Sequence, residues 1–526
     1  MEAALREIDE QLLLRAGKEL VRLVIIGSVD DGKSTLIGRL LYETGALYDD
    51  QIAQVRRATR NGDAVDFSLF TDGLLAEREQ GITIDVAYRF FETGRRKFIL
   101  ADTPGHAQYT RNMATGASTA DGAIILLDAR LGVLPQTRRH AAIAALLGIR
   151  RLAVAVNKMD LVGFDEGVFR GLCADLRRFA GPLGFEELRF FPVSARLGDN
   201  VATSSARTPW HQGGTILHFL ESVGGGREQS HAPFRFPVQL VVRPHLDYRG
   251  LAGQIASGSV SVGDEVTVLP SGTRTTVASI DSFEGPLARA AAPMSVVLRL
   301  ADEVDAARGD LLAHPATAPA PRDRIEATAV WLSERPLDPS RAMLLKHTTR
   351  TVPARVAVRS RLDLETLAEA PAAGLALNDI GRIAVTCARP VICDPYAQNR
   401  ATGAFILIDD LTNETAAAGI VGDGAGAEPA LARKRPGVLV VEGGDEATAL
   451  RRAHEIEKFV TASGHLAAVV RHPGAALACA AAGVLAVCPV CPGGGALRDA
   501  LRNSGAPALD LGADWASALQ AALAPR

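Results

Sequence analysis

The stretch "RLVIIGSVDDGKSTLIGRLL", residues 22–41, decides how the first part of this chain is read. "RLVIIG" is an apolar run of strand length, and "STLIGRLL" carries apolar residues at helical spacing. The loop between them fits Gly-x-x-x-x-Gly-Lys-Ser. Gly27 and Gly32 permit a tight turn that lays backbone N–H groups on phosphate oxygens. Lys33 supplies a cation for the β- and γ-phosphates, and Ser34 a hydroxyl for Mg²⁺. Ser28, Val29, Asp30 and Asp31 complete the wrap, and Thr35 follows in the first turn of the helix. The positive end of the helix dipole then faces the anion. A strand that feeds a helix through such a loop predicts an α/β sheet with its site at the carboxyl ends of the strands.

Further motifs end further apolar runs. "ADTPGH", 101–106, follows "KFIL". Asp102 is placed to orient Mg²⁺ through water. Thr103 and Pro104 lead to Gly105, whose N–H can meet a γ-phosphate, and His106 is the candidate to orient the attacking water. "EREQGITIDVAY", 77–88, lies between these two loops. Its Thr83 is the expected second hydroxyl on Mg²⁺, on a switch loop that orders around the γ-phosphate. "NKMD", Asn157–Lys158–Met159–Asp160, ends "RLAVAV". The Asp160 carboxylate can accept from N1–H and the exocyclic amine of guanine, a donor pair that adenine lacks. "VSAR", 193–196, brings Ser194, Ala195 and Arg196 over the base. The set implies a Mg-GTP switch. Lys33, Thr83 and His106 are its catalytic residues, and Ser34, Thr83 and Asp102 its metal ligands.

At 526 residues the chain is too long for one ordinary domain. Its 47% hydrophobic and 22% charged residues are those of a globular protein with sizeable cores. A net charge of −3 argues against a nucleic-acid partner. The acid-rich N-terminus has no apolar signal segment and reads as an amphipathic helix around Leu5, Ile8 and Leu12. Alternating strand and helix patterns predict an α/β phosphate-loop domain over 1–225. Short β-rich runs punctuated by Gly, Pro and Asp then predict two β-barrels, over 233–318 and 322–415. A second linker, 419–437, precedes a small α/β domain over 436–526. Gly474–Pro492 is uncharged but broken by Pro489, and reads as a buried helix and strand, not a membrane span. The six cysteines make no secreted disulfide framework, so the cytoplasm is the expected location. "CPVC", 488–491, lacks a second ligand pair and reads as structural.

Longer stretches carry a resemblance. The GTPase motifs followed by two barrels resemble the elongation factor Tu superfamily. Within it, "DGLLAEREQGITIDVAYRFF", "KFILADTPGHAQYTRNMATGASTADGAIILLDAR", "LDYRGLAGQIASGSVSVGDEV", "LLKHTTRTVPARV" and "DPYAQNRATGAFILIDDLTNET" are similar to the large subunit of heterodimeric sulfate adenylyltransferase. The resemblance covers about residues 15–421. Elongation factors resemble "GHVDHGKS" where this chain has "GSVDDGKS". The resemblance implies an enzyme that makes adenylyl sulfate and pyrophosphate from ATP and sulfate, an unfavourable reaction that begins sulfate assimilation. It implies that a small partner subunit carries the adenylyl chemistry, and that this chain hydrolyses GTP to drive it. From the charge balance and the broken apolar segment, no nucleic-acid and no membrane partner is expected.

Many relatives carry a fused adenylylsulfate kinase at the C-terminus. Here "EGGDEATALRR" follows the strand "GVLVV", with no lysine and no phosphate-loop pattern. The expected tail is therefore a degenerate kinase-like domain. Two rival readings stand beside the main one: a bifunctional chain with a divergent live kinase, and a tRNA-carrying elongation-factor-like GTPase. The mild acidity of the chain disfavours the second of these.

Overall fold

In a computed structural model, the described residues are 18–47, 49–50, 52–53, 66–70, 83, 85–224, 232–245, 248–422, 438–442, 446–462, 467–469, 485–490 and 508–511. The expected N-terminal helix and most of the linker 419–437 lie outside them. The chain divides into two compact units, Met1–Glu228 with Arg361–Ala370, and Gln229–Ser360 with Pro371–Arg526.

The first unit is built on a six-stranded sheet. Its strands are β1 (Glu19–Gly27), β2 (Ala87–Glu92), β3 (Arg96–Asp102), β4 (Gly122–Asp128), β5 (Arg151–Asn157) and β6 (Glu187–Pro192). The spatial order is β2-β3-β1-β4-β5-β6. All neighbours are parallel except β2, which forms a hairpin with β3. The last residues of "EREQGITIDVAY" therefore belong to this edge strand, so the switch segment read from sequence ends inside the sheet. "GAIILLD" of β4 is buried at every position, as a central strand covered on both faces must be. The helices are α1 (Lys33–Glu43), α2 (Thr110–Ser118), α3 (Pro135–Leu146), α4 (Glu166–Ala180) and α5 (Ile216–Ser222). α1 lays Leu36, Ile37, Leu40 and Leu41 into a core with Ile25, Leu100, Leu126 and Phe191. α3 starts on Pro135, where a missing N–H costs nothing. The Asp165 side chain caps α4 by accepting from Val168 N–H, and Arg177 and Arg178 sit in its last turn.

The second unit opens with an eight-stranded antiparallel sheet between Arg235 and Ala313, around Phe234, Phe236, Val266, Ile280 and Leu298. Residues 321–421 follow as a second antiparallel sheet. In it, Ala342–His347 pairs with both Arg350–Leu362 and Ala404–Asp409, closing a six-stranded barrel. Its last strand is Thr415–Val421. Arg235 and Asp394, both buried, form a bidentate pair at 2.9 and 3.0 Å between the two sheets. Leu269, Leu311, Ala313 and Ile392 pack beside it. Toward the C-terminus, a parallel four-stranded sheet runs Ala467–Val469, Leu485–Val490, Val438–Glu442, Ala508–Leu511 in spatial order. The helix Glu446–Ala462 buries Ala453 and Ile456. Cys488 is buried in the strand Leu485–Val490, and Cys491 lies outside the described residues. No helix among the described residues is long and apolar enough to cross a membrane.

Candidate functional site

The loops after β1, β3 and β5 emerge from one edge of the first sheet, because parallel neighbours in register end together. Ile25 pairs with Asp102, Gly27 with Leu126, and Asp128 with Asn157. The segment after β6 joins them through side chains.

In the loop 27–35, Gly32 caps α1 in the left-handed region, at φ 91°. A Cβ there would also lie 2.5 Å from Asn157 Nδ2, so glycine is required twice over. Lys33 is buried and folds back on its own loop, donating to the Gly27 and Ser28 carbonyls at 3.2 and 2.7 Å. Burial pulls its pKa below the usual lysine value, against the opposing fields of Asp31, Asp102 and Asp30. Asp31 is buried as well. Its carboxylate accepts from Ser28 N–H at 2.6 Å, and burial pushes its pKa up to about 6. Val29 and exposed Asp30 form the tip, Asp30 with φ 62°. Ser34 and Thr35 stand half-buried in the first turn of α1.

Gly105 is the close-approach glycine of the second loop. A Cβ there would meet Lys33 Nζ at 2.5 Å and the Ser28 backbone at 2.7 Å. Asp102 and Pro104 are buried beside it. The Thr103 hydroxyl faces inward and donates to the Ile25 carbonyl at 2.6 Å, so it clips β3 to β1. His106 is exposed, and its Nδ1 accepts from Gln108 N–H at 3.3 Å. In the neutral ring the proton therefore sits on Nε2. Thr83 is half-buried, and its neighbours 82 and 84 lie outside the described residues.

Asn157 does more than its place in "NKMD" foretells. It is 2% exposed, donates from Nδ2 to the Asp31 carbonyl at 2.8 Å, and accepts at Oδ1 from Ala195 N–H at 2.9 Å. One amide thus joins three loops. Lys158, at φ 62°, donates to the Asp30 carbonyl and pairs with Asp128 at 3.0 Å. Met159 is core: its side chain is buried and its N–H bonds to the Val193 carbonyl, so it supports the loop. Asp160 stands half-buried in the following turn, within the field of Arg130. Ser194 is buried, with Oγ accepting from Leu197 N–H, while Arg196 is exposed. Arg39 and Glu43 of α1 tie down the same segment, through the Leu197 carbonyl and Ala202 N–H.

Two groups were missed from sequence. Asp128 ends β4, buried, holding Arg130 at 2.7 Å as well as Lys158, and its two cationic partners keep its pKa well below the carboxylate range against the cost of burial. A carboxylate closing the apolar run "GAIILL" was the available signal. On α3, Thr137 Oγ1 lies 3.4 Å from Ser28 Oγ. His140 is fully buried, with Nε2 2.8 Å from the Gln136 amide. Burial, reinforced by the charges of Lys33 and Arg139, pushes its pKa down to about 3.

The arrangement can hold a polyphosphate. Backbone N–H groups open α1, a buried cation stands beside them, and a hydroxyl and a carboxylate supply hard oxygen donors suited to Mg²⁺. Residues 18–242 match the elongation factor Tu GTP binding domain, and residues 324–422 match the GTP-eEF1A C-terminal domain-like family. A sulfate adenylyltransferase subunit 1 of Methylorubrum populi is 52% identical, covering 78% of this chain and 89% of the relative. One of Bacteroides fragilis is 49% identical, covering 77% and 86%. A bifunctional enzyme CysN/CysC of Rhodopirellula baltica is 50% identical over 79% of this chain, which spans 66% of that relative's length.

Proposed function

The chain belongs to the sulfate adenylyltransferase subunit 1 family, and from that premise we propose that it is the GTP-hydrolysing subunit of an enzyme forming adenylyl sulfate and pyrophosphate from ATP and sulfate. The single observation that carries the reading is the Asn157 amide. It holds the phosphate loop, the guanine-selecting "NKMD" loop and the base-side "VSAR" segment in one unit. Loop N–H groups and Lys33 take the phosphates, and Asp160 accepts from the guanine edge. Ser34, Asp102 and Thr83 would hold Mg²⁺, which would supply neutralising charge to the bound polyphosphate. His106, carrying its proton on Nε2, donates to the attacking water and orients it without taking its proton at that atom.

Adenylyl transfer to sulfate is unfavourable and proceeds only with a coupled favourable step. A small partner subunit carries that transfer, in the cytoplasm, and this chain contributes the hydrolysis. The tail contributes no kinase activity. Thr448 and exposed Arg451 and Arg452 lie in the helix Glu446–Ala462, with Arg451 turned to the Thr448 hydroxyl at 3.4 Å. No lysine stands at the loop position before them.

The test is reconstitution. This chain with its small subunit should release pyrophosphate in a sulfate-dependent way, and GTP should raise the yield. This chain alone should hydrolyse GTP slowly and form no adenylyl sulfate. Product formed by this chain alone would overturn the division of labour.

A further inference from the structure

The phosphate loop contains an acid that a phosphate site does not need. Asp31 is 1% exposed. Its Oδ2 takes the Ser28 N–H at 2.6 Å and lies 3.0 Å from where a Cβ on Gly27 would stand. Lys33 Nζ donates to the Gly27 and Ser28 carbonyls of the same turn whose Ser28 N–H Asp31 accepts, so the two charged groups share one loop. The groups facing Asp31 are Lys33 and Ser28 of its own loop, Asp128 at the end of β4, and Lys158 after β5. Of these, Lys158 is already paired with Asp128 at 3.0 Å. The loop's own cation is therefore opposed by a buried negative charge beside the place where a polyphosphate must sit.

We propose that Asp31 sets the lifetime of bound guanine nucleotide: its buried carboxylate latches the loop through Ser28 N–H while offsetting the charge of Lys33, so that nucleotide leaves readily. The proposal rests on the GTPase reading above. It separates two roles in one side chain. The latch needs only an acceptor oxygen, whereas the hastening of release needs the charge. In a site with little water, one buried charge acts on a phosphate far more strongly than an exposed one. A short residence would let the switch cycle without a second protein to eject the spent nucleotide.

Asparagine tests the division, because Asp31→Asn keeps the acceptor and deletes the charge. Release of a fluorescent GDP from the full chain, followed by stopped flow with Mg²⁺ present, should slow by roughly 10-fold or more. Asp31→Ser, uncharged and shorter, should slow it in the same direction and serves if asparagine disturbs folding. Asp31→Ala, which removes the latch as well, should release faster than Asp31→Asn. Release from Asp31→Asn and Asp31→Ser at or above the wild-type rate would overturn the proposal. Failure of the wild-type chain to bind fluorescent GDP at all would instead remove the GTPase reading, and this proposal with it.

Discussion

Replacing Asn157 with alanine removes the amide that joins three loops, and the structure sets the size of the effect. Asn157 is 2% exposed, so water does not readily replace it. Its loss strands the Asp31 carbonyl, now bonded at 2.8 Å, and the Ala195 N–H, now bonded at 2.9 Å. Each stranded backbone group costs about 1–3 kcal/mol, hence about 2–6 kcal/mol together. That corresponds to an opening equilibrium raised by roughly 30- to 10⁴-fold for the segments concerned. Amide hydrogen exchange of the full chain, read on peptides covering 27–36 and 193–200, measures it directly. Both segments should lose protection together, and GTP affinity should fall by at least roughly tenfold. Asn157→Asp keeps the acceptor for Ala195 but turns an oxygen on the Asp31 carbonyl, so only the 27–36 segment should loosen. Protection within threefold of wild type in both segments of Asn157→Ala would refute the claim that this side chain holds the site together.

Asp160→Asn presents a donor where guanine offers donors. Losing two charge-assisted bonds of about 1.5–3 kcal/mol each should weaken GTP by roughly 10²–10⁴-fold and shift preference toward xanthosine triphosphate. Equal GTP affinity by titration would remove Asp160 from the base site. His106→Ala should leave GTP affinity within a few fold but slow hydrolysis by roughly 10²-fold. Normal single-turnover hydrolysis would assign the water to another group. His140 titrates at about 3 when folded, below its ordinary value near ~6.5 when unfolded. The unfolded chain therefore binds the extra proton as pH falls, and this group's stabilisation, complete above the unfolded value, is lost toward pH 3 with a slope of up to about 1.4 kcal/mol per pH unit. His140→Gln should flatten that part of the acid limb in denaturant midpoints of the first unit, and an unchanged limb would show that His140 does not carry it.

The sequence alone specified the elements around residues 22–41 and the residue types from which the proposed phosphate site is read. Strand, glycine turn and helix dipole are encoded within about ten neighbouring residues, so "RLVIIGSVDDGKSTLIGRLL" specifies its own local fold. The two families of period, alternating strands and helices to about 225 and short β runs thereafter, likewise announced an α/β unit followed by β-sheet domains. Residue type suggested the jobs proposed for Lys33, Asp102 and Asp160, because few side chains suit them. Only the tertiary structure decided which side chains face the site and which support it. Thr103 and Met159 sit inside the motifs but turn into the fold, while Asp128 and His140 lie outside the motifs and stand next to them. The closure of the barrel over 321–421 and the buried Arg235–Asp394 pair were equally invisible. The reason is range. Asn157 and the Asp31 carbonyl are 126 residues apart, and Arg235 and Asp394 are 159 apart. Local pattern fixes backbone conformation, but a hydrogen bond across such distances exists only after parallel strands have brought their ends to one edge and antiparallel strands have settled their register.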